Sequence, residues 1–152
     1  MTAATQGDVK TVQVYRVYIK ATPEAIWEAI TDPDWTNRYG YRGRVDIDLR
    51  PGGAYAANAS EAMRAGGAPE VVIVGEVIEA DPPRRLVMTW HPVWSEEAAA
   101  ETPTRLTYEI EPGDGGFTKL TVVHDVAGAG GGWAWVLSDL KTLLETGSSL
   151  AG

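Results

Sequence analysis

One long amphipathic segment near the C-terminal end constrains the fold of this chain more than any other feature. Apolar residues recur there at the three- and four-residue spacing of an α-helix, and they are Trp133, Val136, Leu137, Leu140, Leu143 and Leu144. The other side is polar apart from Trp135, and it carries Ser138, Asp139, Lys141, Thr142 and Glu145. Gly147 fits the end of such a helix. About 16 residues predict a helix of roughly 24 Å, which is enough to cross a small domain.

The preceding residues predict strands that are joined by turns. Alternating apolar residues, or runs of β-branched and aromatic residues, indicate strands in segments 9–20, 45–49, 71–80, 85–90, 105–110 and 120–124, with a return strand starting at Tyr55. Turn signals occupy residues 51–53, 81–83 and 113–116, and a glycine run at 128–132 ends the sheet before the long helix. Because loops rather than crossover helices join the strands, we expect an antiparallel sheet.

Two short helices are predicted between the first two strands. Thr22 is a suitable N-cap for the first, Pro23 fits its first position, and Pro33 disfavours helix at the residue before it. The second is a short turn after Asp32 that places Trp35 and Tyr39 on one side. Both helices are therefore expected to be brief.

These elements predict an α+β fold in which a curved antiparallel sheet wraps around the long C-terminal helix. The sheet must bury one face, and the helix carries the apolar surface that can cover it. A strongly curved sheet leaves space beside the helix, and the two short helices can close that space. We therefore expect an internal cavity.

A single domain is expected over residues 9–147, with a flexible N-terminus at 1–8 and a tail at 148–152. Residues 56–70 are small, polar and glycine-bearing, and they are predicted to form mostly a mobile loop. Residues 91–103 are acidic and alanine-rich, and they are predicted to form a second loop.

Charge and composition exclude several classes of function. The formal net charge is -8 and the sequence pI is near 4.7, so no nucleic-acid or membrane partner is expected. The absence of cysteine removes disulfides, thiol catalysis and cysteine-ligated metals. No apolar stretch approaches the roughly 20 residues that span a bilayer. Because the N-terminus also lacks the order of a signal peptide, we expect a cytoplasmic protein.

The aromatic residues supply most of the candidate ligand contacts. The chain has six Trp and six Tyr but one Phe, and the candidates are Trp35, Tyr39, Tyr55, Trp90, Tyr108 and Trp133. An apolar ring with a polar group suits the wall of a pocket that stacks on a flat ligand. The alternative for each residue is core filling, but Phe would fill a dry core without a polar atom to satisfy.

His124 is the remaining candidate for ligand contact. It shares a strand face with Leu120 and Val122, and an imidazole that faces a cavity could orient a ligand oxygen or transfer a proton. The favoured alternative is a strand-end histidine that is solvated or bonded to backbone. A single histidine without an evident partner makes no catalytic dyad, so no catalytic residue is assigned.

Glu76 is a second, weaker candidate for acid–base chemistry. It has the same parity as Val72, Val74 and Ile78, so it is a candidate for an inward position, where its pKa would be raised. Neither a metal site nor a cofactor is expected, because the two histidines lack the carboxylate spacing of a metal site and no nucleotide-loop motif is present.

Three stretches together resemble the helix-grip superfamily of START-like, or SRPBCC, proteins. Residues 21–33 look like that family's first helix, residues 75–90 like its central hairpin, and residues 132–147 like its terminal helix. The three together resemble the branch that is named after the activator of heat-shock-protein-90 ATPase. The resemblance implies a helix-grip fold over nearly the whole chain, whereas the superfamily includes lipid carriers, hormone receptors, aromatase/cyclases and co-chaperone domains.

The leading hypothesis is a non-catalytic binding protein for a small hydrophobic or aromatic molecule. The first alternative is an enzyme of the polyketide cyclase or hydrolase type that uses His124 or Glu76 in the same cavity. The second is an interaction module that modulates a chaperone ATPase, for which an exposed Trp135 would serve as the anchor. A homodimer is left open.

Overall fold

The computed structural model of this protein describes residues 11–126 and 132–150. In these residues seven strands form one sheet: β1 (Thr11–Ile19), β2 (Val45–Ile47), β3 (Ala54–Asn58), β4 (Val71–Asp81), β5 (Arg85–Pro92), β6 (Thr104–Pro112) and β7 (Thr118–Val126). Their spatial order is β1-β7-β6-β5-β4-β3-β2, and each neighbouring pair is antiparallel. The predicted antiparallel sheet is confirmed.

The same residues form five α-helices: α1 (Pro23–Thr31), α2 (Pro33–Thr36), α3 (Glu61–Ala65), α4 (Glu96–Ala99) and α5 (Trp133–Thr146). A 3₁₀ turn at Asp114–Gly116 joins β6 to β7. The predicted α+β class, with its long C-terminal helix, is confirmed. The predicted flexible N-terminus at 1–8 and most of the glycine run lie outside the described residues.

The boundaries of α1 and α2 follow from the capping residues that the sequence indicates. The hydroxyl of Thr22 accepts a hydrogen bond from the Ala25 amide over 3.1 Å, and Pro23 occupies the first turn. Asp32 ends α1 and caps α2, because its carboxylate accepts from the Asp34 amide over 2.8 Å. The two short helices therefore follow one another with a sharp change of direction at Asp32.

The core lies between the inner face of the sheet and the two helices that cover it. α1 contributes Ile26, Ala29 and Ile30, and α5 contributes Leu137, Leu140 and Leu143. They pack against buried strand residues that include Val77, Leu86, Met88, Leu106, Ile110, Leu120 and Val122. Each fully buried aliphatic side chain stabilises the fold by about 1.5–3 kcal/mol relative to an exposed one.

Two predicted loops contain more structure than expected. Segment 56–70 holds the end of β3 and the helix α3, which begins where Ser60 accepts a hydrogen bond from the Met63 amide. Segment 91–103 holds the end of β5 and the helix α4, which Ser95 caps in the same way. Both helices are a single turn long and lack a wide apolar stripe, so periodicity could not indicate them.

Asp139 is also placed differently from the prediction. The sequence pattern assigns it to the polar side of the C-terminal helix, but the residue is fully buried. Its two carboxylate oxygens accept hydrogen bonds from the Gly40 amide, at 2.8 Å, and from the Leu150 amide, at 2.7 Å. The loop after α2 and the C-terminal tail therefore cover the side of α5 that was expected to be in solvent.

No helix in residues 11–126 and 132–150 has both the length and the apolar character to cross a membrane.

Candidate functional site

Tyr108 occupies the centre of the inner sheet face, under α5. Its neighbours on that face are Leu106 and Ile110 along β6 and, across the sheet, Leu86 and Val122. All four neighbours are at most 1% exposed, whereas Tyr108 is only partly buried. Because β6 is not an edge strand, the accessible part of Tyr108 lies on the inner face of the sheet.

Burial of the phenol group supports this position. Burial raises the pKa of Tyr108 well above its ordinary value, and the nearby Tyr55 and Tyr39 raise it further. Burial also raises the pKa of Tyr55. For both tyrosines, removal of the phenol from water is the main cause of the raised pKa.

The hydroxyl groups of these tyrosines fall into two classes. Tyr39 donates a hydrogen bond to the Ala29 carbonyl over 2.8 Å, which ties the loop after α2 to α1. The hydroxyls of Tyr55 and Tyr108 have no hydrogen-bond partner among the described residues. Neither hydroxyl is completely enclosed, because the completely enclosed side-chain atoms without a partner in the described residues are His91 Nδ1 and Asp125 Oδ1. Both oxygens are therefore within reach of water or of a ligand.

His124 lies on the same inner face, near the end of β7, and is 3% exposed. Its Nδ1 accepts a hydrogen bond from the indole Nε1 of Trp133 over 3.0 Å. Its Nε2 lies 3.0 Å from Thr104 Oγ1, and the Thr104 hydroxyl donates to the Trp90 carbonyl over 3.0 Å. The favoured interpretation of a solvated or backbone-bonded histidine is wrong, because both ring nitrogens contact side chains, those of Trp133 and Thr104.

These partners determine the protonation state of His124. Trp133 can only donate, so Nδ1 must be unprotonated, and the proton is on Nε2, from which it is donated to Thr104. Burial lowers the pKa of His124 from 6.5 to about 4, while the Asp125 carboxylate acts in the opposite direction. The imidazole is therefore neutral at pH 7, and neither nitrogen is free to move a proton.

Five rings form a continuous series that we call the aromatic file: Trp94, Trp90, His124, Trp133 and Tyr108. Neighbouring ring centroids are 6.3, 4.8, 6.0 and 6.1 Å apart in that order, and every contact is edge-to-face. Trp94 is 50% exposed. The aromatic file thus runs from the surface near the end of β5 to the middle of the sheet.

The predicted ligand contacts are only partly brought together. Trp90, Tyr108, His124 and Trp133 belong to the aromatic file, and Tyr55 packs against the same core. Tyr39 is also in this core, but its hydroxyl is already bonded. Trp35 packs against the cluster, and the Arg38 guanidinium lies 4.5 Å from the centre of its ring.

The inward position considered for Glu76 is wrong, because the residue is exposed. Its parity partners Val74 and Ile78 are not part of the core, whereas Val77 is fully buried. Where β3 pairs with β4, Ala57 lies opposite Ile73 but Asn58 lies opposite Val71, so Val72 has no partner on β3. This shift of one residue in the register explains why Val72 is buried although it has the parity of Glu76. A β-bulge therefore invalidates the parity argument.

Sequence reasoning missed two polar residues that shape this region, Thr104 and Asp139. Thr104 has the parity of Leu106 and Tyr108 on β6, so its inward position could have been inferred from the strand pattern. Asp139 gave no such signal, because only the packing of two distant loops on α5 buries it. Within residues 11–126 and 132–150, no cluster of three or more His, Cys, Asp or Glu side chains is arranged to hold a metal ion.

Two surface clefts lie away from the aromatic file. One, of about 310 Å³, lies between the loop after α2 and the C-terminal end of α5. The other, of about 500 Å³, lies where β4, β5 and β6 meet near Arg85. In the second cleft Arg84 pairs with Asp81, and Arg85 pairs with Glu109 and Glu79. Both arginines of this cleft are therefore already neutralised by carboxylates.

The chain is similar to known proteins in sequence and in fold. The family model described as "Activator of Hsp90 ATPase homolog 1-like protein" matches residues 20–145. Among curated protein sequences, none is significantly similar to this chain.

Solved structures share the fold at low sequence identity. CalU16 from Micromonospora echinospora is 23% identical, with 91% of this chain and 78% of that chain covered and a TM-score of 0.66. An HSP90 activator from Plasmodium falciparum is 23% identical, with 92% and 91% covered and a TM-score of 0.59. The Aha1 dimer from Colwellia psychrerythraea is 20% identical, with 90% and 98% covered and a TM-score of 0.64. At these identities the likeness shows the helix-grip fold alone.

Proposed function

The chain belongs to the family of activator of Hsp90 ATPase homolog 1-like proteins, and from this membership we propose that it binds a small, flat, apolar molecule between the sheet and α5 without altering it chemically. The observation that carries the proposal is the partial exposure of Tyr108 among four neighbours that are at most 1% exposed. A tightly filled interior would bury Tyr108 as completely as those neighbours.

The chemistry of the lining supports an aromatic ligand with at least one oxygen atom. The aromatic file offers ring edges and faces for stacking, and the hydroxyls of Tyr55 and Tyr108 supply hydrogen-bonding groups that no described residue uses. Both phenols are protonated at neutral pH, because the ordinary pKa of tyrosine is about 10 and burial raises it further. They can therefore donate to a carbonyl or hydroxyl oxygen of the ligand.

The non-catalytic part of the proposal is supported by the state of His124 and Glu76. The imidazole has both nitrogens engaged by Trp133 and Thr104, and the carboxylate of Glu76 is in solvent. A cyclase or hydrolase needs a group that can donate or accept a proton next to the bound substrate. Neither of the two residues considered for that role is free and adjacent to the space beneath α5.

A ligand titration tests this proposal. The protein is titrated with flat polycyclic aromatics that do or do not bear oxygen, and with linear fatty acids as a comparison, while tryptophan fluorescence and the melting temperature are recorded. A ligand at 100 times its Kd stabilises the folded protein by about 2.7 kcal/mol, which is roughly 5–10 °C for a chain of this length. Aromatics that bear oxygen are expected to produce the largest shift.

A matched pair of variants locates the binding. Tyr108→Phe removes a hydroxyl from the proposed site, whereas Tyr18→Phe removes one from an outward side chain that is 59% exposed. Only Tyr108→Phe is expected to weaken binding of the oxygen-bearing compounds. No response to any aromatic compound, or equal weakening by the two variants, contradicts the proposal, and turnover of a bound compound contradicts its non-catalytic part.

A second candidate function, modulation of a chaperone ATPase, is supported by one feature of α5. Trp135 is 45% exposed on α5. Tryptophan is among the residues that most often anchor protein interfaces, so an exposed one is a candidate contact for a partner. The neighbouring structures include an HSP90 activator and an Aha1 dimer, which fit a chaperone partner or a homodimer. We expect the protein to stimulate Hsp90 ATPase activity and Trp135→Ala to reduce that stimulation. If the parent protein does not stimulate the ATPase, this function is rejected.

Light scattering of the parent and Trp135→Ala proteins tests the homodimer.

A further inference from the structure

The cleft of about 310 Å³ beside the C-terminal end of α5 has the features of a second binding site. It is lined by Asn37, Arg38, Arg42, Leu143, Gly147, Ser148 and Ser149. These residues come from two segments, the loop after α2 and the tail after α5, together with one apolar side chain of the helix. None of them belongs to the aromatic file, so the cleft is separate from the proposed ligand space.

The charge of this cleft is opposite to that of the whole protein. The chain has a net charge of -8, yet two guanidinium groups and no carboxylate line the cleft. Within the described part of the chain, Arg38 and Arg42 form no ion pair, like Arg16, Arg64 and Arg105 and unlike Arg44, Arg50, Arg84 and Arg85. The cleft therefore holds two arginines without an ion pair, beside the C-terminal end of α5, on a protein whose net charge is negative.

Both guanidinium groups are positioned by contacts that leave most of their donors unused. Arg42 Nη2 donates to Ser149 Oγ over 2.8 Å, which links the two walls of the cleft. Arg38 Cζ lies 4.5 Å from the centre of the Trp35 ring, and its guanidinium N–H groups donate no hydrogen bond to the described residues. Because each guanidinium has five N–H donors, the cleft retains several donors for an anion.

The walls of the cleft are held together by a buried group. Asp139 accepts from Gly40 in the loop after α2 and from Leu150 in the tail, and it is fully buried. One carboxylate therefore fixes the spacing of the two segments that form the cleft. Since both of its oxygens already accept backbone hydrogen bonds, it does not need the arginine donors as partners.

The backbone of Arg42 is in a conformation that side chains rarely adopt. Its φ is +61°, and it is the one non-glycine residue with positive φ in the described residues. A left-handed backbone is unfavourable for arginine, and such conformations cluster at ligand sites where the surrounding structure maintains them. Here the conformation occurs at the residue whose guanidinium spans the cleft to Ser149.

We propose that this cleft binds the phosphate group of a small phosphate ester. A tetrahedral phosphate has several acceptor oxygens, which match donors that come from the two arginines, the Asn37 amide and the hydroxyls of Ser148 and Ser149. A planar carboxylate would be satisfied by one guanidinium fork. The cleft is also larger than a phosphate ion, so the organic part of the ester has room beside Leu143.

A titration with phenyl phosphate, inorganic phosphate and benzoate tests this site. Binding is measured by calorimetry at low and at high salt. Phenyl phosphate is expected to bind more tightly than the other two, and its affinity should fall as salt is added because exposed charges provide the attraction. Tighter binding of benzoate than of phenyl phosphate, or no binding of phenyl phosphate at millimolar concentration, overturns the proposal.

Substitutions separate this site from a general effect of charge. Arg42→Gly removes one guanidinium and allows the positive φ without strain, so its melting temperature should be unchanged or higher while its affinity for phenyl phosphate falls about tenfold or more. Arg38→Gln should have a similar effect on affinity. Arg105→Gln is the control, because it removes from β6 an exposed guanidinium that has no ion pair with any described residue. Equal loss of affinity in Arg105→Gln and Arg42→Gly overturns the site.

Discussion

The indole nitrogen of Trp133, in the first turn of α5, donates a hydrogen bond to Nδ1 of His124 on β7 over 3.0 Å. The N-terminal end of α5 has no side-chain cap of its own. The bond therefore gives that end of the helix a fixed point on the sheet. Because Nδ1 must be unprotonated to accept, the attachment depends on the protonation state of one imidazole.

Acid is expected to weaken the protein through His124. Burial lowers its pKa from 6.5 to about 4 in the folded state, so between these two pH values the unfolded chain binds more protons than the folded chain. The stabilisation is complete above about pH 6.5 and is lost progressively as the pH falls towards 4, for a total of about 3 kcal/mol. Urea unfolding between pH 7.5 and pH 4.5 measures this loss.

The two histidines provide the control for this pH dependence, since carboxylates also titrate at the lower end of the range. His124→Gln should remove the excess loss of stability between pH 6.5 and 4.5, whereas His91→Gln should retain it. His91 is a suitable match because its Nε2 contacts only the Ala99 carbonyl, at 3.0 Å. An unchanged pH profile in His124→Gln would refute the assignment.

Replacement of Trp133 by phenylalanine should destabilise the protein more than replacement of Trp135. Trp133→Phe leaves Nδ1 of a buried histidine without its donor, which costs about 1–3 kcal/mol. Trp135→Phe changes a side chain that is 45% exposed on the same helix and should stay within about 0.5 kcal/mol. Urea unfolding at pH 7.5 compares the two. Similar losses in both variants would show that the indole bond is unimportant.

The fold was largely predictable because its main signals are local. The α5 stripe, the Thr22 and Asp32 caps and the turn at residues 113–116 are each encoded in a few neighbouring residues, and the structure contains each of them. The same holds for the inward face of β7, where Leu120, Val122 and His124 are buried.

The details of the site were less predictable because they depend on distant contacts. The partners of His124 come from β6 and α5, and no local pattern links Thr104 to Trp133. The orientation of Glu76 depends on a bulge in β4, which alternation of residue types does not reveal. The burial of Asp139 depends on loops that are far away in sequence.

Asp139→Asn should destabilise the fold strongly, although the substitution keeps the size of the side chain. The carboxylate accepts from the Gly40 and Leu150 amides with separate oxygens, and asparagine has only one acceptor oxygen for them. One partly buried N–H group then lacks a partner, and we expect a loss of about 1–3 kcal/mol. Chemical denaturation at pH 7.5 measures it. Asp34→Asn, which affects an exposed ion pair with Arg44, should cost less than about 1 kcal/mol.

Replacing each of two interior tyrosines by phenylalanine should distinguish a hydroxyl that stabilises the fold from one that is available to a ligand. Tyr39→Phe removes the donor to the Ala29 carbonyl and should cost about 1–2 kcal/mol, because that carbonyl then has no replacement partner. Tyr108→Phe removes a hydroxyl without a partner among the described residues, so its free energy of unfolding should stay within about 0.5 kcal/mol of the parent. Urea unfolding of the two variants without ligand makes the comparison. If Tyr108→Phe were as destabilising as Tyr39→Phe, the Tyr108 hydroxyl would have a structural partner and would not be available to a ligand.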